Sequence, residues 1–217
     1  VSREQFRQLA PEVHERVRRS EPGEVIVPDA HWDLFAGTRP DAETPSSIRA
    51  IRFTDADGVV QGVATYTIEK HRSDFAQATA DVGLLLAATP EAYRALWKFV
   101  LELDLVRTVR ASLRAVDEPL RWLVADQRAI TISVRDHQYV RIVDVVAALE
   151  ARTFATAGAI VLNIEDRQEH TAGRWLLQAD AAGRATVSAA PASSEGVAEV
   201  TMHVHALGAL YLGGVSA

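Results

Sequence analysis

The chain has 217 residues, which at ~100–200 residues per domain corresponds to one large domain or two small ones. Its composition, with 48% apolar and 24% charged residues, is typical of a globular protein and argues against intrinsic disorder. A net charge of −6 argues against sequence-independent nucleic-acid binding, and the absence of cysteine excludes disulfides, thiolate nucleophiles and cysteine-bound metal clusters.

The beginning of the chain is predicted to form two helices and three strands. Residues 3–19 carry apolar side chains at helical spacing, and a short second helix around Trp32 is predicted to be capped by Asp29. The next segments are rich in β-branched or uninterrupted apolar residues, and they predict strands at 48–54, 59–69 and 78–87. An acidic turn ending in Gly58 indicates that the first two strands form an antiparallel hairpin.

The signals of a helix start follow the third strand. Thr89 is placed to cap this helix, Pro90 to occupy its first position and Glu91 to lie in its first turn. Apolar patterns further along predict a strand at 106–113, a short helix from Glu118, strands at 129–134 and 139–142, and a helix at 145–152.

The composition changes after Arg152, where the chain becomes richer in alanine and glycine. Strands are predicted there at 159–165, 174–179, 185–190 and 198–203, with a short helix near 207–211. We therefore expect two domains, at 1–154 and 155–217. The second is expected to be incomplete at its C-terminus.

The order of three strands, a helix, a strand and a short helix resembles the core of the Gcn5-related N-acetyltransferases (GNAT). That core binds acyl-CoA where a strand meets the following helix, and a pyrophosphate there needs glycines, a nearby arginine and an exposed helix N-terminus. Here the junction at residues 84–91 has no Gly-x-Gly, lacks an N–H at Pro90 and carries the negative Glu91. The resemblance therefore implies a GNAT domain that has lost acyl-CoA binding, and an ordinary capped helix is the alternative interpretation.

Four segments resemble a narrower family, the enhanced intracellular survival (Eis) acetyltransferases. Residues 92–99 with 103–106 resemble the family's ALWR…L.LD segment, and residues 117–128 resemble its DPL..LL.D.R segment. Residues 135–152 resemble R.DGLW.R..DVPAALEAR, and residues 210–214 resemble the LYLGG of the family's last domain. The segments occur in the family's order, which makes the resemblance specific.

The Eis resemblance implies the second and third parts of a three-part enzyme. The family has an active N-terminal GNAT domain, a degenerate second GNAT domain and a C-terminal domain similar to sterol carrier protein. The expected fold class is α/β (α+β), with a GNAT-like mixed sheet flanked by helices, followed by a smaller sterol-carrier-like α/β domain. The intact enzyme is expected to use acetyl-CoA. This chain lacks the family's acyl-CoA loop and catalytic residues, so alone it is expected to bind no cofactor or metal and to be inactive.

The resemblance also implies the partners of the chain. These are a missing N-terminal GNAT domain, a cationic amine acceptor such as an aminoglycoside or a lysine, and further copies of the chain in a homo-oligomer. Neither nucleic acid nor membrane is expected as a partner, since the chain is acidic and no run approaches the ~20 apolar residues of a membrane helix. We expect a cytoplasmic location, with secretion left open.

Two residues are candidates for the acceptor pocket by resemblance. Trp32 matches a pocket tryptophan of the family, and a core tryptophan is the alternative interpretation. Asp136 matches a pocket carboxylate that attracts a cationic amine through its charge, and a turn residue is the alternative. The family's Gly-Leu-Trp after this carboxylate is replaced here by His137, Gln138 and Tyr139, which leaves the shape of the pocket and the substrate open.

Three other interpretations stay open. His203 and His205 have the spacing of two metal ligands on one strand face, although no third ligand is evident. Residues 155–217 are also compatible with a lipid or hydrophobic-ligand binding module of the sterol-carrier type, which predicts a continuous apolar tunnel. A scaffold protein without a ligand is the third, and it predicts exposed apolar patches that mediate assembly.

Overall fold

The chain forms two compact units, Val1–Val134 and Arg135–Ala217, each built on its own four-stranded sheet. This computed structural model describes residues 1–21, 23–42, 47–71, 74–115, 117–137 and 139–212. Among these residues, no helix is both long and apolar enough to cross a membrane. The mixed α/β fold class predicted from the sequence is confirmed.

The described residues of the first unit form three α-helices and four strands. Their bounds are α1 Arg3–Ser20, α2 Asp29–Ala36, β1 Arg49–Thr54, β2 Val60–Glu69, β3 Ala78–Ala87, α3 Pro90–Leu101 and β4 Val106–Ala111. The sheet order is β1-β2-β3-β4, in which β1, β2 and β3 are antiparallel neighbours and β4 runs parallel to β3. The long α3 between β3 and β4 supplies the crossover that a parallel pair requires.

Helices cover both faces of the first sheet. Helices α1 and α2 pack on one face with Phe6, Val13 and Trp32, and α3 packs on the other with Leu96, Trp97 and Val100. Strand β3 therefore lies between two apolar layers, as the uninterrupted apolar run at its residues 82–87 predicts.

Gly62 of β2 allows α3 to lie close to the sheet. A Cβ at this position would lie 2.9 Å from Leu96 Cδ1 and 3.1 Å from Ala92 Cβ. The beginning of α3 is thereby held tightly against β2 and β3, which fixes the geometry of the junction where β3 ends.

The second unit contains four strands and two helices. Their bounds are α4 Val145–Glu150, β5 Gly158–Glu165, β6 Gly173–Ala179, β7 Ala185–Ala189, β8 Ala198–His203 and α5 Val204–Tyr211. The sheet order is β7-β6-β5-β8, with β8 parallel to β5 and the other pairs antiparallel.

The apolar face of the second sheet packs against α4 and α5. Leu162, Ile164 and Leu177 of the sheet share a buried cluster with Leu149 of α4 and Leu207 of α5. Helix α5 also approaches the preceding chain closely, since a Cβ on Gly208 would lie 2.7 Å from the carbonyl oxygen of Val140. The protein's own side chains thus occupy the face that a hydrophobic ligand would need, which counts against the lipid-module interpretation.

The structure corrects the sequence prediction between β4 and α4. The strands predicted at 129–134 and 139–142 are wrong: the described residues there form a 3₁₀ turn, Gln127–Ala129, and then irregular chain, while Gln138 lies outside the described residues. Ile132, Val134 and Tyr139 have β-forming side chains but are 65%, 76% and 81% exposed. Strand propensity depends on pairing with a neighbouring strand, and neither described stretch pairs with one, although Ile142 is buried in the core of the second sheet.

Two smaller differences concern helix and domain ends. Asp29 is the first residue of α2 rather than its cap, because Pro28 takes the cap position and makes no side-chain cap bond. The division of the chain into compact units falls between Val134 and Arg135, whereas the sequence predicts a domain boundary at 154/155. The reason is that Ile142 and Leu149 bury their side chains in the core of the second sheet.

Candidate functional site

The junction between β3 and α3 is the site that the GNAT resemblance singles out for the cofactor. Strand β3 stays paired with β2 to its end, where the N–H of Ala88 donates to the carbonyl oxygen of Gln61 at 2.8 Å. The Thr89 hydroxyl oxygen then accepts the N–H of Ala92 at 3.2 Å, and Pro90 begins the helix. The predicted cap is therefore confirmed.

The donors at this junction do not fit a pyrophosphate. A phosphate group at a helix N-terminus needs free backbone N–H groups and the absence of competing negative charge. Here Pro90 has no N–H, and the N–H of Ala92 is already bonded to Thr89. Glu91 places a carboxylate in the first turn, where the Arg94 guanidinium pairs with it at 2.9 Å. At the start of α3 the chain itself thus removes one donor at Pro90, engages a second at Ala92 and adds a negative charge at Glu91.

Beyond this junction lies a fork between β3 and β4. The two strands pair only from Ala78 with Val106 to Val82 with Ala111, whereas β3 continues to Ala87. We use the term fork for the space between residues 83–87 of β3 and the described residues 112–115 and 117–118 that follow β4. A strand edge in such a position presents backbone groups that need partners.

Side chains of the same unit fill the fork. Arg114 donates from Nη1 to the carbonyl oxygen of Leu85 at 3.0 Å and from Nε to Glu118 Oε2 at 3.0 Å. The Tyr93 hydroxyl donates to the other carboxylate oxygen of Glu118. Trp97 forms the floor, with the Arg114 guanidinium 5.9 Å from the centroid of its ring. We call Arg114, Glu118 and Tyr93 the fork network.

The fork network holds Tyr93 in its protonated form. Burial raises the pKa of Tyr93 above its ordinary value of 10.0, and the hydrogen bond to the Glu118 carboxylate raises the pKa further. The phenol therefore remains a hydrogen-bond donor at neutral pH. Its hydroxyl thereby holds one carboxylate oxygen of Glu118 in place.

Sequence reasoning missed the fork network, although part of its signal was present. Arg114 and Glu118 are spaced four residues apart, as ion-paired residues often are, and Glu118 precedes a proline that begins the 3₁₀ helix Pro119–Trp122. Nothing in the sequence indicates that Leu85, which is 29 residues earlier, supplies the third contact. That contact depends on the point where the two strands separate.

Trp32, the first candidate for the acceptor pocket, lies in the core of the first unit. Its side chain is 3% exposed and packs edge-on against His14, with ring centroids 5.2 Å apart, and near Phe35 at 6.0 Å. This position accounts for the tryptophan as a core residue. Its role in substrate binding stays a prediction.

Asp136, the second candidate, lies in the second unit on exposed, irregular chain. The hydroxyl of Tyr139 donates to its Oδ2 at 3.4 Å. Trp32 and Asp136 thus belong to different units. An exposed carboxylate is free to meet a cationic group, so the chemistry predicted for Asp136 is available.

The histidine pair has a structural explanation. His203 caps α5, since its Nδ1 accepts the N–H of His205 at 3.3 Å, and the two rings meet edge-on with centroids 4.3 Å apart. In the part of the chain that the structure describes, no group of three or more His, Cys, Asp or Glu side chains is arranged to hold a metal ion.

Comparisons with known proteins agree with this fold. Residues 23–142 match the family model of the GNAT acetyltransferase domain, and residues 145–217 match that of the sterol carrier protein domain. The crystal structure of Eis1 from Mycobacterium abscessus is similar to this chain, with a TM-score of 0.71 and 29% identity. The match covers 100% of this chain and 51% of the Eis1 chain. A probable N-acyltransferase of Enterococcus faecalis shares the fold, with a TM-score of 0.69 and 19% identity.

Curated relatives point the same way. An uncharacterized N-acetyltransferase of Streptomyces avermitilis is 36% identical over 221 residues, which cover 100% of this chain and 52% of the relative. The N-acetyltransferase Eis of Mycobacterium tuberculosis is 32% identical over 206 residues, which cover 93% of this chain and 46% of Eis. The chain spans about half the length of the curated relatives that it matches. On these matches, the chain belongs to the GNAT acetyltransferase family, and its GNAT domain is followed by a domain of the sterol carrier protein type.

Proposed function

We propose that this chain is the acceptor-side portion of a longer, Eis-like N-acetyltransferase that transfers an acetyl group from acetyl-CoA to an amine such as an aminoglycoside or a lysine. In this proposal the GNAT domain of the chain is degenerate and does not itself bind acetyl-CoA. The observation that carries it is the β3–α3 junction, where Pro90 and Glu91 occupy the positions that a pyrophosphate would need to find free and uncharged. A separate N-terminal GNAT domain would then hold the cofactor.

Titration calorimetry of the purified chain with acetyl-CoA tests this proposal. We expect no measurable heat of binding, because Pro90 has no N–H, the N–H of Ala92 is already bonded to Thr89, and Glu91 repels a diphosphate. The S. avermitilis relative, which matches this chain over 52% of its own length, is the positive control. A dissociation constant tighter than ~100 µM for this chain would contradict the proposal.

Asp136 is proposed to attract the cationic acceptor, with the chain forming one wall of the acceptor pocket. The support is its exposure and the position that it shares with the family's pocket carboxylate. An exposed charge pair contributes only ~0.2–1 kcal/mol, so its effect on binding should be modest. Trp32, which is buried in the first unit, remains a separate candidate for substrate binding.

Charge reversal at Asp136 in the longer enzyme tests this role. We expect Asp136→Lys to raise KM for a cationic amine by roughly two- to five-fold, as the worth of an exposed charge pair allows, with KM for acetyl-CoA unchanged. Asp136→Glu, which keeps the charge, is the matched control. An unchanged amine KM in Asp136→Lys would show that this carboxylate lies away from the acceptor.

Assembly into a homo-oligomer follows from the same resemblance and stays a prediction, as does the cytoplasmic location that the absence of cysteine favours. Exposed apolar side chains of the first unit, including Leu113 at 71% and Trp122 at 67%, are compatible with a contact surface. Light scattering of the purified chain measures the assembly directly, and a monomer at high concentration would contradict it.

A further inference from the structure

The edge of β3 inside the fork has backbone groups that a neighbouring strand would normally satisfy. The N–H of Ala88 points toward β2, where it donates to Gln61. Backbone groups alternate in direction along a strand, so those of Leu85 and Ala87 point away from β2 and into the fork. Strand β4 does not pair with β3 beyond Val82, because the last pair between the two strands joins Val82 to Ala111.

An exposed strand edge of this kind can accept an extended ligand or another strand through main-chain hydrogen bonds. The carbonyl oxygen of Leu85 is not available for such a partner, since Arg114 already donates to it at 3.0 Å. The Arg114 guanidinium therefore occupies the position that a backbone N–H of an added strand would take to bond the carbonyl oxygen of Leu85.

We propose that the fork is a strand-edge site held shut from within, with Arg114 as its permanent occupant and Glu118 and Tyr93 as the residues that position it. This proposal rests on the proposed function, because it gives a second reason why the GNAT domain of this chain holds no cofactor. It concerns a different part of the domain from the β3–α3 junction.

The surroundings of Arg114 favour the closed arrangement. Glu118 neutralises its charge, and the side chains of Arg114 and Glu118 are only 25% and 18% exposed. Tyr93 then fixes the second carboxylate oxygen, and Trp97 lies under the guanidinium as a buried aromatic face. Opening the fork would leave a half-buried charge without its partner, which is costlier than keeping the pair.

Hydrogen exchange of the full chain, followed by mass spectrometry, tests the proposal. In Arg114→Ala we expect the peptide that covers residues 83–88 to exchange roughly ten-fold faster or more, because local opening no longer has to displace the network. Glu118→Gln should also speed this exchange, but by less than Arg114→Ala, because its one amide oxygen can still accept from either Arg114 or Tyr93 although the neutralising charge is lost. Peptides from β1 and β2 should exchange as in the wild type.

Arg110→Ala is the matched control for removing an arginine from this side of the unit. Arg110 lies on β4 and pairs with Asp81 and Glu69, but it is 57% exposed and does not contact the fork. It should leave the exchange of residues 83–88 unchanged. Equal exchange in Arg114→Ala and in the wild type, or an equal rise in Arg110→Ala, would overturn the proposal.

A second variant protects the test against misfolding. If Arg114→Ala also loosens β1 and β2, Tyr93→Phe removes only the hydroxyl that holds Glu118, and a selective rise at residues 83–88 is expected there. No selective rise in Tyr93→Phe would then overturn the proposal. Calorimetry of the wild type with acetyl-CoA is a separate measurement. Binding of acetyl-CoA would refute the proposed function, whereas the exchange of residues 83–88 tests the proposal for the fork.

Discussion

Replacing Trp97 with alanine is expected to lower the free energy of unfolding of the first unit by about 3–5 kcal/mol. Trp97 is 2% exposed and lies in the apolar cluster between α3 and the sheet, beside Leu96 and Val100. It also contacts Tyr93 edge-on, with ring centroids 6.3 Å apart, and lies beneath Arg114. The variant therefore loses buried apolar area and the floor of the fork together. Equilibrium urea unfolding followed by far-ultraviolet circular dichroism measures the change.

Trp97→Phe separates these two losses. Phenylalanine keeps an aromatic face against Tyr93 and Arg114 and leaves a smaller void, so we expect a loss of about 1–2 kcal/mol. A loss below about 1 kcal/mol in Trp97→Ala would show that the cluster closes around the missing ring, contrary to the close packing that the structure indicates.

The second large effect is expected from Asp166 in the second unit. Its side chain is 1% exposed and accepts from Arg141 at 2.7 Å, from the Thr171 hydroxyl at 2.9 Å, and from the N–H groups of Gln168 and Thr171. Asp166→Ala leaves these donors without their acceptor, and it also leaves Arg141 without its counter-charge. We expect the midpoint of thermal unfolding to fall by roughly 5 °C or more. Hydrogen exchange of β5 and β6 peptides would locate the loss.

The pH dependence of Asp166→Asn checks the cause. Burial raises the pKa of the Asp166 carboxyl, but the hydrogen bonds from Gln168, Arg141 and Thr171 outweigh burial and hold the pKa well below its ordinary 3.8. A carboxyl whose pKa is lower in the folded than in the unfolded protein stabilises the fold above the unfolded pKa. That contribution is lost as the pH falls through the folded pKa.

The difference in stability between wild type and Asp166→Asn should therefore be constant near neutral pH. It should begin to shrink below about pH 4 and continue to shrink at lower pH. A difference that does not change between pH 7 and pH 3 would show that the charge of Asp166 contributes nothing and that only its hydrogen-bond geometry matters.

Most of the fold could be predicted because most of it follows local rules. The sequence predicts strands at 78–87 and 198–203, and the structure has both with the same bounds. Thr89 and Pro90 correctly predict where α3 begins. The prediction failed at residues 129–134 and 139–142, where Ile132, Val134 and Tyr139 lie exposed on irregular chain. Periodicity detects suitability for a strand, whereas pairing depends on neighbours that a local pattern does not contain.

The candidate site was less predictable for the same reason. The junction at Thr89 could be judged from the sequence, because helix capping and N–H loss at proline are local properties. The fork could not, because it depends on Leu85 meeting Arg114 across a gap between two strands. The burial of Trp32 also depends on how two helices pack over a sheet, which a single segment does not reveal.

The start of α3 has an evolutionary consequence. Thr89, Pro90 and Glu91 each favour helix formation at the positions that they occupy, and each is unsuited to a diphosphate. Mutations toward phosphate binding would have to remove these stabilising features first, and loss of the threonine cap alone costs about 1 kcal/mol. A protein with this helix start would therefore pass through less stable intermediates before it acquired such a site.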